Sequence, residues 1–454
     1  MLFSSTSKNA DPNRREILLG AGAFGLAASV AGCAPGEAAA KIDYTLTIAP
    51  LSVEIAPGKV IKTVGYNGTV PGPLLRFREG QQATIAVTNK SDVAELVHWH
   101  GLRIPSVVDG TMEEGAPMIE PGKSTSYSFT VNPSGTRWYH THAMAGADTS
   151  RSLYSAQYGF LYVEPRNDPG RYDQEVFIAM HQWEAYFNPP GMDIAYRSAS
   201  FNDKALGHGE PIRVRQGQRV LFRLLNASAR GDIMLALPGH KFTVIAMDGN
   251  PVPKPQTVDT LMIASAERVD AVVEMTNPGV WVFGSTRDAE RDRGLGTVVE
   301  YAGATGEAQW QMPAMAMWDY LMFANAAPAP EPDVRVNLKI GKIVGGRAPY
   351  NLWTINDKAW PDTDPIMVET GKRYRLMFNN DTGDMHPMHL HRHNFEVANL
   401  GGKVTSGLIK DVINIPRRAM SELDFVADNP GPSLLHCHMQ EHQDFGFMTL
   451  VKYA

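Results

Sequence analysis

Cysteine is almost missing from this chain. Its 454 residues include two, Cys33 and Cys437, so a disulfide framework is excluded unless those two pair, and each has a better explanation. Positive charge is not in excess either. The 42 Lys and Arg stand against 48 Asp and Glu, a net charge of −6, and no extended basic run occurs, which argues against a nucleic-acid partner. Long apolar runs are absent, because the Ala/Gly-rich stretch from Ile17 to Val30 is too short to span a bilayer comfortably. Long amphipathic helices are absent too. Short alternating segments broken by Gly, Pro, Asn and Asp read as strands. What remains is an ordinary globular composition, 43% hydrophobic and 20% charged, able to bury a sizeable core. The length suggests about three domains.

The first forty residues read as an export signal. Arg14-Arg15 precedes Glu16-Ile17-Leu18-Leu19 and the apolar run. The pair resembles the twin-arginine signal that exports proteins already folded. Val30-Ala31-Gly32-Cys33 resembles a lipobox, in which the cysteine is acylated and becomes the mature N-terminus. The alternative is ordinary cleavage near Ala38 to Ala40. The expected location is the periplasm or cell envelope, with a lipid anchor at Cys33.

Residues 41–454 repeat one pattern three times. Tyr66-Asn67-Gly68, Phe201-Asn202-Asp203 and Ile355-Asn356-Asp357 each lead to a glycine, Gly80, Gly217 or Gly371. An asparagine follows nine residues later, Asn89, Asn226 or Asn380. Between them bulky apolar residues largely alternate, as a half-buried strand requires. The glycine is expected to supply the turn before the strand, and the asparagine to tolerate the turn after it. A second echo closes each copy: Asn132-Pro133, Asn277-Pro278 and Asn429-Pro430 run into Trp138-Tyr139-His140-Thr141-His142, Trp281-Val282-Phe283-Gly284-Ser285-Thr286 and Leu434-Leu435-His436-Cys437-His438. Gly284 and Thr286 occupy the histidine positions of the last copy, so the middle copy lacks metal ligands. The expected architecture is all-β, three Greek-key β-sandwiches in tandem at 41–167, 168–308 and 330–454. Residues 309–329 form a Met/aromatic segment and linker, and the first and third sandwiches meet over a shared metal site.

Ten of the fourteen histidines fall in four motifs: His98-Trp99-His100, His140-Thr141-His142, His386-Pro387-Met388-His389-Leu390-His391, and His436-Cys437-His438 with His442. On a strand, His-x-His places two imidazoles on one face about 7 Å apart, and Cys437 points to the other face from His436 and His438. A thiolate with imidazoles suits a blue-copper centre, and two metal sites then sit back to back through one cysteine.

These motifs resemble the four copper-binding signatures of three-domain multicopper oxidases, the family of laccases, bilirubin oxidase and bacterial cuprous oxidases. The resemblance covers essentially all of the chain after the signal. It implies cupredoxin-like domains and four coppers per chain. It puts the type 1 copper on His386, Cys437 and His442, and the type 2 copper on His98 and His389. The paired type 3 coppers fall to His100, His140, His142, His391, His436 and His438. It implies four one-electron oxidations of a reducing substrate per dioxygen reduced to water. Phe447 stands at the axial position, where some relatives have Met; phenylalanine cannot ligate, which leaves the site three-coordinate and raises its potential. Met448 could ligate only after a one-residue shift. Asp109 matches an acidic residue that relatives place near the type 2 copper, the alternative being a turn Asp. Gln443 replaces a glutamate found in many bacterial relatives, which leaves Asp444 as a candidate proton relay. The catalytic set is therefore Asp109, Cys437 and Asp444.

Met312, Met315, Met317 and Met322 resemble the Met-rich segment of cuprous oxidases, and Asp384-Met385 precedes His386. Interleaved aromatics favour core or lid packing for these methionines. The leading expectation is a laccase-like oxidase of phenols and aromatic amines, with Cu(I) oxidation in copper tolerance as the alternative. A non-catalytic copper-binding protein needs no Cys between two His. His181, His208 and His240 read as structural, and His393 as a support for the third motif. Cys33→Ser is expected to move the protein from the membrane fraction to the soluble fraction; a protein that stays membrane-bound would remove the lipid anchor.

Overall fold

Three short turns show how the repeat works. Asn67, Asn202 and Asn356 take φ of +53, +52 and +51°, a left-handed conformation that asparagine tolerates better than most residues. Each side chain then clamps a strand of its own module. Asn67 accepts from Thr47 N and donates to Thr45 O; Asn202 does the same with Ala179 and Phe177, and Asn356 with Lys339 and Asn337. In the computed structural model, which describes residues 41–167, 170–314 and 318–454, this clamp occurs once in each of three successive sandwiches. Arg14, Arg15, the run Ile17–Val30, Cys33, Met315 and Met317 lie outside the described residues.

In the first sandwich, Lys59–Tyr66, Tyr44–Ala56, Gln82–Asn89 and Ser124–Thr130 form a four-stranded sheet. Gly72–Arg78, Tyr158–Glu164 and Gly135–His140 form a three-stranded one. The second has sheets of six and five strands between Gln174 and Tyr301, and the third sheets of seven and five between Val334 and Tyr453. Each of the six sheets mixes one parallel pair, such as Tyr44–Ala56 with Gln82–Asn89, into otherwise antiparallel strands. Among the described residues no helix exceeds five residues.

The repeated glycines behave as expected: Gly80, Gly217 and Gly371 sit at φ of +83, +79 and +84°. The repeated asparagines do not. Asn89, Asn226 and Asn380 keep negative φ and are buried. Each amide donates to two backbone carbonyls, of Val93 and Ile119, of Gly231 and Ile263, and of Asp384 and Pro416. The amide oxygen accepts from the N–H two residues on. Asparagine recurs because one side chain satisfies three backbone groups at the end of an interior strand.

One apolar cluster runs through the second and third sandwiches, from Phe222 and Val269 to Trp353, Met388 and Phe447, while the first has its own core around Trp99, Tyr127 and Tyr139. The Met/aromatic segment departs from the packing expectation. Met312 and Met322 are exposed, whereas Tyr320 and Phe323 are buried, so the aromatic rings do the packing.

Arg392, whose role the sequence leaves open, pins the first sandwich to the third. Its guanidinium is buried and donates to the carbonyls of Ile104, Asn429, Pro430, Gly431 and Pro432 and to Ser433 Oγ. The first of these belongs to the opposite sandwich. Each buried carbonyl stripped of its donor costs about 1–3 kcal/mol. Arg392→Leu is therefore expected to lower the free energy of unfolding by at least about 3 kcal/mol, read from the denaturant midpoint.

Candidate metal centres

Two strand pairings bring the four motifs together. In the first sandwich His98 and His140 form a bridge, with His98 N donating to His140 O at 2.8 Å and His140 N to His98 O at 3.1 Å. In the third, His386–Leu390 runs antiparallel to Ser433–Cys437, with His389 opposite His436 and Met388 opposite Cys437. The outer sandwiches thus present the same construction to one another. His436 and His438 turn to one side of their strand end and Cys437 to the other.

On the first side, eight imidazoles enclose one pocket. Ring nitrogens of His100, His140 and His438 lie within 4.8 Å of one another, as do those of His142, His391 and His436, and of His98, His100 and His389. Both of the first two groups mix ligands from the two outer sandwiches. His100 Nδ1 stands 3.3 Å from His140 Nε2, and His391 Nε2 3.0 Å from His436 Nε2. His100 stacks on His389 at 3.8 Å, and Trp138 lies over His140 at 4.1 Å.

On the second side, Cys437 Sγ lies 3.8 Å from His386 Nδ1 and 3.5 Å from His442 Nδ1, and the two nitrogens are 3.2 Å apart. The short helix Gln440–Asp444 carries His442 back towards its own cysteine. Trp353 covers His442, with ring centroids 3.8 Å apart. Phe447 is fully buried with its ring 4.9 Å from that of His386. Met448 turns away into a separate cluster with Leu434 and Leu450.

The donor set fits metal ions. Buried nitrogens of His98, His142, His389 and His438 have no protein partner, and an orphaned buried polar atom is costly. Burial, reinforced by neighbouring imidazoles, holds His100, His140, His142, His389, His391, His438 and His442 well below the ordinary histidine range. Burial brings His386 and His436 to about 3. These rings are neutral at any physiological pH, the form that binds metal. Burial also pushes the Cys437 thiol well up, so a thiolate here is stable only beside a cation.

Models of the family described as multicopper oxidase match residues 48–168, 181–303 and 333–454. The chain belongs to the multicopper oxidase family. Multicopper oxidase MmcO of Mycobacterium tuberculosis is 31% identical over 95% of this chain and 91% of its own. Laccase-4 of Thanatephorus cucumeris is 28% identical over 86% and 85%. The structure of Fet3p, a multicopper oxidase that functions in iron import, superposes with a TM-score of 0.79 over 90% of each chain at 19% identity, a likeness of fold. The protein is a copper-dependent oxidase with copper as its cofactor.

Around the oxidase's eight-imidazole pocket stand Asp109, which the resemblance names, and Glu114 and Asp411, which the motifs do not reveal. Asp109 Oδ2 lies 2.8 Å from His391 Nδ1 and 3.1 Å from His98 Nδ1. Glu114 Oε1 lies 3.4 Å from His391 Nδ1 and accepts from Leu434 N. Burial and the neighbouring Asp109 push the Glu114 carboxyl well up. Asp411, fully buried, reaches both His100 and His389. Asp444 instead ties the loop after His142 to the last motif, accepting from the N–H groups of Ala145 and Gly146 and from Gln440; burial raises it to about 7. Beside the cysteine, Arg230 of the middle sandwich pairs with Glu441 and stands 3.3 Å from His442 Nε2. The remaining histidines are structural in their contacts. His181 bonds Ala227 O and stacks on Tyr158, and His240 sits between Pro238 O and Tyr301 OH. His393 bridges His391 O and Tyr453 OH, bracing the third motif. His208 lines a surface hollow of the middle sandwich.

Proposed function

We propose that this multicopper oxidase is laccase-like, coupling four one-electron oxidations of phenols or aromatic amines to reduction of one dioxygen to water. Four coppers are assigned. His386 Nδ1, Cys437 Sγ and His442 Nδ1 hold the type 1 ion, and His98 with His389 the type 2 ion. The triads His100, His140, His438 and His142, His391, His436 hold the type 3 pair. Bound copper supplies one-electron redox chemistry and a place for dioxygen to bind. Cys437 joins the two centres by its own backbone, since its sequence neighbours His436 and His438 belong to the other pocket.

The observation that carries the donor assignment is a cleft between the second and third sandwiches. It measures about 260 Å³ and is lined by Met262, Trp318, Tyr320, Leu321, Met385 and Asn414. Met385, which lines the cleft, directly precedes the type 1 ligand His386 in the chain. The volume falls short of the roughly 300–1,000 Å³ of drug-sized sites, which suits a single aromatic ring. Water formation also consumes protons. Asp109, within hydrogen-bond distance of His391 and His98, and Asp444, which burial raises to about 7, are the relay candidates.

One feature favours a second reading, oxidation of Cu(I). Met262 and Met385 place two thioethers in the same cleft, and Met385 Sδ lies 3.9 Å from Asn414 Nδ2, which itself donates to Asp232. Thioethers bind cuprous copper. Steady-state turnover of a phenol with and without added copper, run beside Cu(I) itself, separates the two. Phenol turnover independent of added copper is expected, and strict dependence on it would transfer the assignment to Cu(I). At the type 1 site, Phe447→Met places a thioether where the ring stands. It is expected to lower the reduction potential while the blue absorbance persists; a potential that rises or stays put in a redox titration would count against Phe447 as the axial residue.

A further inference from the structure

Asp411 engages two imidazoles with two different groups. Its carboxylate Oδ1 lies 3.1 Å from His100 Nε2, and its backbone carbonyl 2.7 Å from His389 Nδ1. A carboxylate and a carbonyl only accept, so each contact needs the proton on that ring nitrogen. A proton on His100 Nε2 leaves Nδ1 bare, facing His140. A proton on His389 Nδ1 leaves Nε2 bare, and that atom is buried with no protein partner. One residue thereby selects opposite tautomers in two stacked rings from two different sandwiches, and the partner of the outer nitrogen decides which nitrogen a metal meets.

What fixes Asp411 comes from the sandwich that has no ligands. Arg268 grips the carboxylate with a two-point fork, Nη1 to Oδ1 at 2.7 Å and Nη2 to Oδ2 at 2.6 Å. Its other three N–H groups donate to the carbonyls of Thr136, Ala266 and Asp248, so all five are engaged, and the side chain is fully buried. Arg137 of the first sandwich adds one bond to Oδ2 at 3.2 Å. The four acceptor positions of the carboxylate are then filled by Arg268 twice, Arg137 once and His100 once, which leaves it no alternative orientation. The backbone closes over the contact at Gly101, where a Cβ would come within 2.5 Å of Asp411 Oδ2 and 2.9 Å of Arg268 Nη2.

We infer that Arg268 is a positioning residue for His100, and that through the Asp411 carboxylate the middle sandwich sets which nitrogen that ring offers to the type 3 pair. The inference rests on the ligand assignment proposed above. A ligand-free sandwich would otherwise be only a spacer; here it supplies the one group that grips the carboxylate at both oxygens.

The test compares Arg268→Lys, Arg268→Met and wild type in the copper-loaded protein. Copper per chain is measured after dialysis against graded chelator, with the near-ultraviolet absorbance of the type 3 pair and the blue absorbance of the Cys437 site read on the same samples. Loss of outer-shell partners costs about 10–100-fold in metal affinity. Arg268→Met is expected to lose the type 3 absorbance at chelator concentrations lower by about that factor, with the blue absorbance retained. Arg268→Lys, which keeps the charge without the fork, is expected to fall between the two and covers the case in which the methionine variant does not fold. Wild-type retention of the type 3 absorbance in either folded variant would overturn the inference. So would loss of the type 3 and blue absorbances together in Arg268→Lys, since that is general destabilisation. A wild type that binds copper but shows no type 3 absorbance would instead sink the ligand assignment itself, and the inference with it.

Discussion

Eight buried imidazoles share one pocket between two sandwiches, and nearly everything else in the chain answers to that constraint. Four of those rings leave buried nitrogens with no protein partner, which is unfavourable without a metal. Burial keeps His100, His140, His142, His389, His391, His436 and His438 unprotonated, because a cationic imidazole in this setting would be both desolvated and surrounded by like charge. The pocket is therefore tuned for cations that the protein does not itself provide. The cysteine side obeys the same logic, with a thiol that burial keeps protonated until a metal displaces the proton.

Holding such a pocket together requires that the outer sandwiches be fixed against each other from outside it. Arg392 does this by donating to a row of carbonyls from both sides of the junction. The clamp of Asp411, Arg268 and Arg137 does it with charge, drawing one residue from each sandwich. Buried ionic groups are weak as a source of stability, since desolvation offsets much of their attraction. Their value here is orientation. A saturated carboxylate has one geometry, and the His100 imidazole inherits it. The same network continues outward through Asp248, Lys410 and Glu267 to Tyr320, so the Met/aromatic segment is anchored to the same charges.

Much of this was legible in one dimension. His-x-His on a strand places two imidazoles on one face, and a cysteine between them must face the other way; the strand pairing of His389 with His436 follows that rule. Phe447 and Met448 likewise separate by strand alternation, one facing His386 and the other packed with Leu434. The repeated Asn89, Asn226 and Asn380 were visible as a pattern, but their reason was not. They satisfy backbone groups brought to the strand end by segments that periodicity does not describe. The methionines after the middle sandwich were misleading in the opposite sense, since Met312 and Met322 stand in solvent while their aromatic neighbours are buried.

The candidate ligand residues and the alternation that separates Cys437 from its neighbouring histidines are readable along the chain, because side-chain alternation is a local property with a period of two. The sequence by itself also determined the three-fold repeat and the loss of ligands from the middle copy. The grouping of imidazoles into mixed triads was decided only when two separately folded sandwiches approached each other. So were the meeting of His100 with Asp411, 311 positions away, and the grip of Arg268 on that carboxylate from 143 positions away. No local pattern marks such residues, because their selection acts through desolvated charge and hydrogen-bond geometry that exist only once the interface has closed.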